Sequence, residues 1–223
     1  IYNRDKVRFE LMRHFGYFPT ESSGHGSEYN PYFRKRGDLL EKFCSVTAPA
    51  DPEDHCCGYL MSAGVPGASL TVCAKLQAHN EDKLRRLLDG SEKIEPKPSQ
   101  EYGVQIIRAI EKNAPFSANL NVMNRGLIPT LPPGACVEVP CLVNGGGIFP
   151  ARIEDYPEQL AALNRGMINV QILGAQGALN HSRSDIFHAV AADPLTAAVL
   201  GLDEIQEMTD ELFEALASEI DPA

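Results

Sequence analysis

No apolar run in these 223 residues approaches the length that spans a membrane. The opening ten residues, Ile1 to Glu10, are charged and lack the apolar core of a signal peptide. Basic charge is short too: 20 Lys and Arg face 30 Asp and Glu, a formal net charge of −10. A nucleic-acid binder needs a basic stripe, so that class is set aside. Cysteine is sparse. Cys56 and Cys57 are adjacent, while Cys44, Cys73, Cys136 and Cys141 follow no repeating spacing, so no disulfide framework is expected. Reduced thiols and a cytoplasmic location fit that usage. The nearest approach to a zinc site is Asp54-His55-Cys56-Cys57, which matches ligand spacings loosely. Asn144-Gly145-Gly146-Gly147 has neither a following Lys-Ser/Thr nor the spacing of a dinucleotide fingerprint, so it is a turn and not a phosphate cradle. No internal repeat and no βαβ unit is visible. The first residue is Ile1 rather than Met, which marks the chain as an expected processed or truncated piece of something longer.

What is present is an ordinary globular composition, 43% hydrophobic and 22% charged, with length enough for a sizeable core. The densest chemistry lies between Gly16 and Arg36, GYFPTESSGHGSEYNPYFRKR, where an imidazole, carboxylates, phenols and cations share one short segment. Gly16, Pro19, Ser22, Ser23, Gly24, Gly26 and Pro31 argue against a long regular element there. Buried polar groups in such a segment must each find a partner. It is either a functional site or a solvated loop.

Periodicity places the remaining elements. Residues 5–15 read as a helix with Val7, Leu11 and Phe15 on one face and Gly16 as its stop. Residues 38–43 suggest a short helix with Leu39, Leu40 and Phe43 inward. Residues 44–100 read as an irregular, mobile insertion, relieved by a polar helix over 74–89. A helix over 101–113 turns Val104, Ile107 and Ile110, with Ile106, inward. Strands follow at 116–123 and 136–143, the second alternating well apart from Pro140. Pro157 opens a helix to Leu179, Ser184 caps a helix over 185–192, and Asp193-Pro194 marks a break. Asp203 caps a final helix whose Ile205, Met208, Leu212 and Leu216 form a core or subunit face. The class is α+β and helix-rich.

Four ordered blocks carry a resemblance: 16–36, EYGVQIIRAIEKNAPFSANLNVMNRGLIPTLPPGACVEVPCLVNGGGI at 101–148, EQLAALNRGMINVQ at 158–171 and HAVAADPLTAAVLGLDEI at 188–205. Together they resemble the family 4 glycoside hydrolases, nearest the α-galactosidase and α-glucosidase branch. The resemblance implies the helix-rich C-terminal domain of a lactate-dehydrogenase-like glycosidase, catalytic and oligomerising, spanning 1–223 without its Rossmann half. It implies that NAD and manganese or another divalent metal are held mainly outside this chain, that the N-terminal half is a partner, and that the enzyme is a homo-oligomer acting on a small α-glycoside. No nucleic-acid or membrane partner is expected. The implied chemistry is oxidation at the sugar C3, removal of the C2 proton by a tyrosine, elimination, hydration and return of the hydride.

By that resemblance Tyr29 is the base, in Ser27-Glu28-Tyr29-Asn30-Pro31-Tyr32; a loop anchor, or Tyr32 as base, are the competing readings. A phenol titrating near pH 10 needs nearby positive charge to act at neutral pH, from a metal or from Arg34 or Lys35. His25, Glu28, Tyr32, Arg34 and Asn121 are the candidate substrate contacts. His25 serves equally as a structural histidine, and its spacing to Glu28 means nothing for metal binding without a helix. Glu21, Ser22 and Ser23 either line a pocket or close loop hydrogen bonds. Asn124 is explained by its turn alone, and His181 and His188 are expected on helical stretches.

Overall fold

The computed structural model describes residues 2–45, 63–66, 68–94 and 101–220. The chain divides into two compact units, one made of 1–93 with 169–223 and the other of 94–168. The Asp54-His55-Cys56-Cys57 motif lies outside the described residues.

In the first unit α1 (Lys6–Phe15) buries Val7 and Leu11, and Gly16 ends it in the left-handed conformation (φ 87°) with its N–H on the Met12 carbonyl. α2 (Ser23–Tyr29) follows, then α3 (Gly37–Cys44), which buries Phe43 and Cys44. Phe33, from the link between them, is 2% exposed and meets the Phe43 ring edge-on at 5.1 Å. Val7, Leu11, Phe33, Phe43 and Cys44 make one cluster, with Phe15, Leu39 and Leu40 against it. α4 (Ala68–Leu88) is a helix of 21 residues, so the reading of 44–100 as irregular fails across this part and the polar helix is longer than the 74–89 expected.

The second unit is a sheet with helices on it. β1 (Phe116–Met123), β2 (Cys136–Asn144) and β3 (Gly147–Pro150) form an antiparallel sheet in that order, with Leu120 opposite Val139 and Asn121 opposite Glu138. Val137, Val139, Cys141 and Val143 alternate inward on β2. β3 was legible only as the end of a turn. Pro140 survives in the central strand because its carbonyl faces β3's side and accepts from Ala151 (2.8 Å), just past the last β2–β3 pair. The missing N–H lies on that same side, so the β1–β2 ladder loses no bond to it.

α5 (Gly103–Lys112) corrects the orientation expected for it. Ala109 (1% exposed) and Ile106 pack on the sheet core, while Val104 and Ile107 are 75% and 62% exposed. The apolar arc is wider than the sheet can cover, and small Ala109 allows the close approach. Here periodicity found the helix but chose the wrong centre for its buried stripe.

α6 (Glu158–Leu179) starts after Pro157, as expected, and places Ala161 and Ile168 in the sheet unit's core. Its last residues belong to the first unit, with α7 (Arg183–Ala191), α8 (Pro194–Val199) and α9 (Leu202–Ala215). Two caps were misplaced by two residues each. Ser182, not Ser184, accepts from the Asp185 N–H, and Gly201, not Asp203, precedes α9, its N–H donating to Glu204. Asp193 does cap α8, accepting from Thr196 N–H at 2.7 Å. His188 is on α7, but His181 lies in the preceding turn with φ 50°. On α9 Ile205 is buried, whereas Leu212 and Leu216 are about half-exposed.

Candidate functional site

The segment 16–36 is not a continuous loop: its middle is α2. Ser22 makes the helix possible, its Oγ accepting from the His25 N–H at 3.3 Å. Gly26, one of the glycines that argued against regular structure, is a packing residue. A Cβ on Gly26 would sit 3.3 Å from the Val7 methyl of α1. Close approach of α1 thus outweighs the conformational cost of glycine in a helix. Arg8 of α1 holds the preceding turn, donating to the Pro19 carbonyl from Nε (3.0 Å) and Nη2 (2.7 Å) while its guanidinium lies over the Phe18 ring at 4.2 Å.

The helix gives His25, Glu28 and Tyr29 a defined geometry. Tyr29 is its last residue, 43% exposed, its ring facing that of His25 at 5.9 Å and 27°. His25 Nδ1 lies 3.0 Å from Glu21 Oε1. The Ser22 N–H, donating to the same carboxylate at 2.7 Å, is the main reason the Glu21 carboxyl titrates below its usual range, with His25 adding to it. Of the two readings left open for Glu21, Ser22 and Ser23, the structure shows the loop hydrogen bonds.

Tyr32 and Tyr29 serve different surroundings. Tyr32 lines a cavity of about 430 Å³ floored by Leu11, Phe15, Phe33 and Phe43, with Lys42 at its wall; Tyr29 is not part of that lining. Arg34 is largely buried and occupied: Nε donates to Ser27 Oγ (2.8 Å), and Nη2 to the Gly64 carbonyl (3.0 Å) and to Glu28 (3.2 Å). Arg36 pairs with Asp38 in solvent, and Lys35 is exposed. Asn121 is an exposed β1 residue of the second unit. Asn124 is turn architecture, as expected: 1% exposed, its amide donates to the carbonyls of Ile128, Leu131 and Pro132 and accepts from Ile128 N–H.

Ser27 and Gly64 were missed as members of this cluster. Ser27 was visible only as a small residue beside Gly26. Nothing in the sequence around Gly64 signals a partner thirty residues away. Among the described residues no group of three His, Cys, Asp or Glu side chains is placed to hold a metal ion.

With this geometry in hand, comparison with known proteins settles the ancestry. The family 4 glycosyl hydrolase C-terminal domain matches residues 1–196. The chain belongs to glycoside hydrolase family 4. It is 38% identical over 213 residues to an alpha-galactosidase of Bacillus subtilis, covering 96% of this chain and 45% of that protein. The crystal structure of the putative glucosidase lplD from Bacillus subtilis superposes with a TM-score of 0.60 at 20% identity, covering 91% of this chain and 49% of the other. A 6-phospho-beta glucosidase of Thermotoga maritima, solved with manganese, NAD+ and glucose-6-phosphate, gives 0.53 at 18% identity over 66% of this chain and 37% of its own. These two structures support the fold: the helix-rich C-terminal domain of family 4 glycosidases, with its small three-stranded sheet. The chain spans under half the length of these proteins.

Proposed function

We propose that this chain is the C-terminal part of a family 4 glycoside hydrolase acting on α-galactosides, and that Tyr29 is the base that removes the proton from the sugar C2. Substrate class rests on the 38% identity to an alpha-galactosidase across nearly all of the chain. The single structural observation that carries the base assignment is the placement of Tyr29: a phenol at the end of a short, tightly packed helix, accessible and flanked by an imidazole. A base must lie within hydrogen-bond reach of the proton it takes, which requires such accessibility.

A proton on carbon becomes removable once the adjacent C3 is a ketone. Oxidation there is the chemistry NAD supplies, aided by a divalent metal such as the manganese bound by the Thermotoga maritima relative. The described residues offer no metal cluster, and the sequence holds no dinucleotide fingerprint, so neither group is given a site among the described residues. Both are assigned to an N-terminal half, preceding Ile1 or on another polypeptide. This chain's share begins with the ketosugar in place: Tyr29 takes the C2 proton, and the glycosidic oxygen leaves by elimination. Glu28 and His25 are proposed to border the sugar, and Tyr32 to approach it from the cleft beside α3. A homo-oligomer in the cytoplasm is the proposed setting. No helix among the described residues is long and apolar enough to cross a membrane.

The test is exchange of the C2 hydrogen with solvent. With the NAD-binding half, NAD and manganese present, wild type should incorporate deuterium at C2 during turnover of an α-galactoside. Tyr29→Phe should lose about 10²–10⁴-fold in kcat together with that exchange. Unchanged turnover would remove Tyr29 from the reaction. Preference for an α-glucoside would keep the chemistry and change the substrate, and binding of sugar without turnover would identify a carbohydrate-binding or oligomerising domain instead.

A further inference from the structure

Arg34 stands out among the candidate substrate contacts because its Nε and Nη2 donors are already engaged. Its side chain is 18% exposed. Nε donates to Ser27 Oγ, and Nη2 is shared between the Gly64 carbonyl and Glu28. Ser27 is fully buried, and its hydroxyl proton goes to the Gly24 carbonyl at 2.6 Å, leaving its oxygen to accept from Arg34. A guanidinium is suited to this because its planar fork serves several acceptors at once, whereas an ammonium is a point donor.

Gly64 closes the arrangement from the other side. It has φ 76°, and a Cβ there would lie 3.0 Å from Ser27 Oγ, 3.1 Å from the Gly24 Cα and 3.3 Å from Arg34 Nη2. Three segments therefore meet at one buried hydroxyl: α2 through Ser27, the adjoining link to α3 through Arg34, and the 63–66 turn, thirty residues beyond Arg34, through Gly64. On the opposite side of α2, Gly26 touches Val7 of α1. The helix is gripped from both sides, and the grip ends one residue before Tyr29.

We infer that Arg34 is a positioning residue that, with the backbone of Gly64, clamps the last turn of α2 and so fixes the direction in which Glu28 and Tyr29 are presented. The inference rests on the reading of Tyr29 as the base and extends it to a turn that the reaction itself does not touch. Gly64 has no side chain with which to meet a sugar, so any loss of rate on changing it reaches the substrate through α2. Misplacing a catalytic group by about 1 Å costs on the order of 10²-fold in rate.

A double-mutant cycle decides the matter in the assembled enzyme, with NAD and manganese present. Arg34→Ala and Gly64→Ala should each lower kcat on an α-galactoside about 10²-fold, with KM changed by less than about threefold. The double variant should be no slower than either single one, because both break the same clamp. Arg34→Lys should fail to restore the rate. Amide hydrogen exchange at Ser27, Glu28 and Tyr29 should speed up in both single variants while α1 stays protected.

A raised KM with kcat preserved in Arg34→Ala, multiplying with the effect of Gly64→Ala, would overturn the inference and return Arg34 to the substrate. Should either variant fail to fold, Ser27→Ala removes the shared hydroxyl with little change in volume. It should give the same loss of kcat and the same faster exchange, and unaltered exchange at Tyr29 would refute the clamp. Full activity in Tyr29→Phe would defeat the base assignment alone, since the exchange cycle still reads the clamp directly.

Discussion

The networks around a buried polar side chain reach different distances along the chain in the two units. In the sheet unit Asn124 binds carbonyls and an N–H between Ile128 and Pro132, all within eight residues of itself. In the helical unit Ser27 bonds the nearby Gly24 carbonyl and Arg34, and Arg34 carries the network on to the Gly64 carbonyl, thirty residues further along the chain. The first is a turn that organises itself. The second is a junction that exists only when distant segments have arrived, and it supports the helix that carries the candidate base. A local network contributes stability to its own turn, while a distant one also fixes relative placement, which is what a reacting group needs.

The largest effect expected in this comparison is on the helical unit's core. Phe33 is 2% exposed and joins α1 and α3 through its contact with Phe43. Phe33→Ala should cost about 4 kcal/mol through lost burial and the cavity left behind. Denaturant titration measures it, and hydrogen exchange should place the loss in α1–α3. A loss below about 1 kcal/mol would mean that the aromatic cluster is not what holds these helices. The corresponding change in the sheet unit is smaller. Asn124→Ala should cost about 3 kcal/mol, because the Ile128 N–H and neighbouring carbonyls lose their partner in a buried turn. Exchange in α2 should be unaffected. Faster exchange at Ser27 would break the contrast drawn between a self-contained turn and a long-range junction.

That contrast also explains which features could be read in advance. Asn124 was recognised as a turn residue because its partners lie next to it in sequence, and β2 was recognised because alternation is a property of a few neighbours. The family was legible from four ordered blocks, and so was the α+β class. What was misread depends on what arrives from elsewhere. Gly24 and Gly26 signalled a loop, yet α1 and the Gly64 turn need small residues there and a helix supplies them. Val104, Ile107 and Ile110 carried the strongest period, yet Ala109 was the position small enough to meet the sheet. Arg34 read as a substrate contact because neither Ser27 nor Gly64 announces a claim on it.

The smallest predicted effect separates the units by pH. On α1 the Arg13 guanidinium, bonded to Glu10 at 2.8 Å and assisted by His14, holds the Glu10 carboxyl below its usual range. A carboxyl lowered in the folded state contributes stability above its unfolded pKa, and loses it as pH falls through the folded value. In the sheet unit burial raises the Tyr156 phenol, against a smaller opposing bond from Asn164. A raised phenol contributes stability below its unfolded pKa near 10, and loses it as pH climbs through the folded value. Glu10→Gln should therefore trail wild type slightly at pH 7, by a few tenths of a kcal/mol as for other exposed helical ion pairs, and converge with it in acid once the carboxyl is protonated. Tyr156→Phe should flatten the decline in stability above pH 10. Convergence of Glu10→Gln with wild type on the alkaline side instead would reverse the sign of the linkage and show that the Glu10–Arg13 contact does not persist in solution.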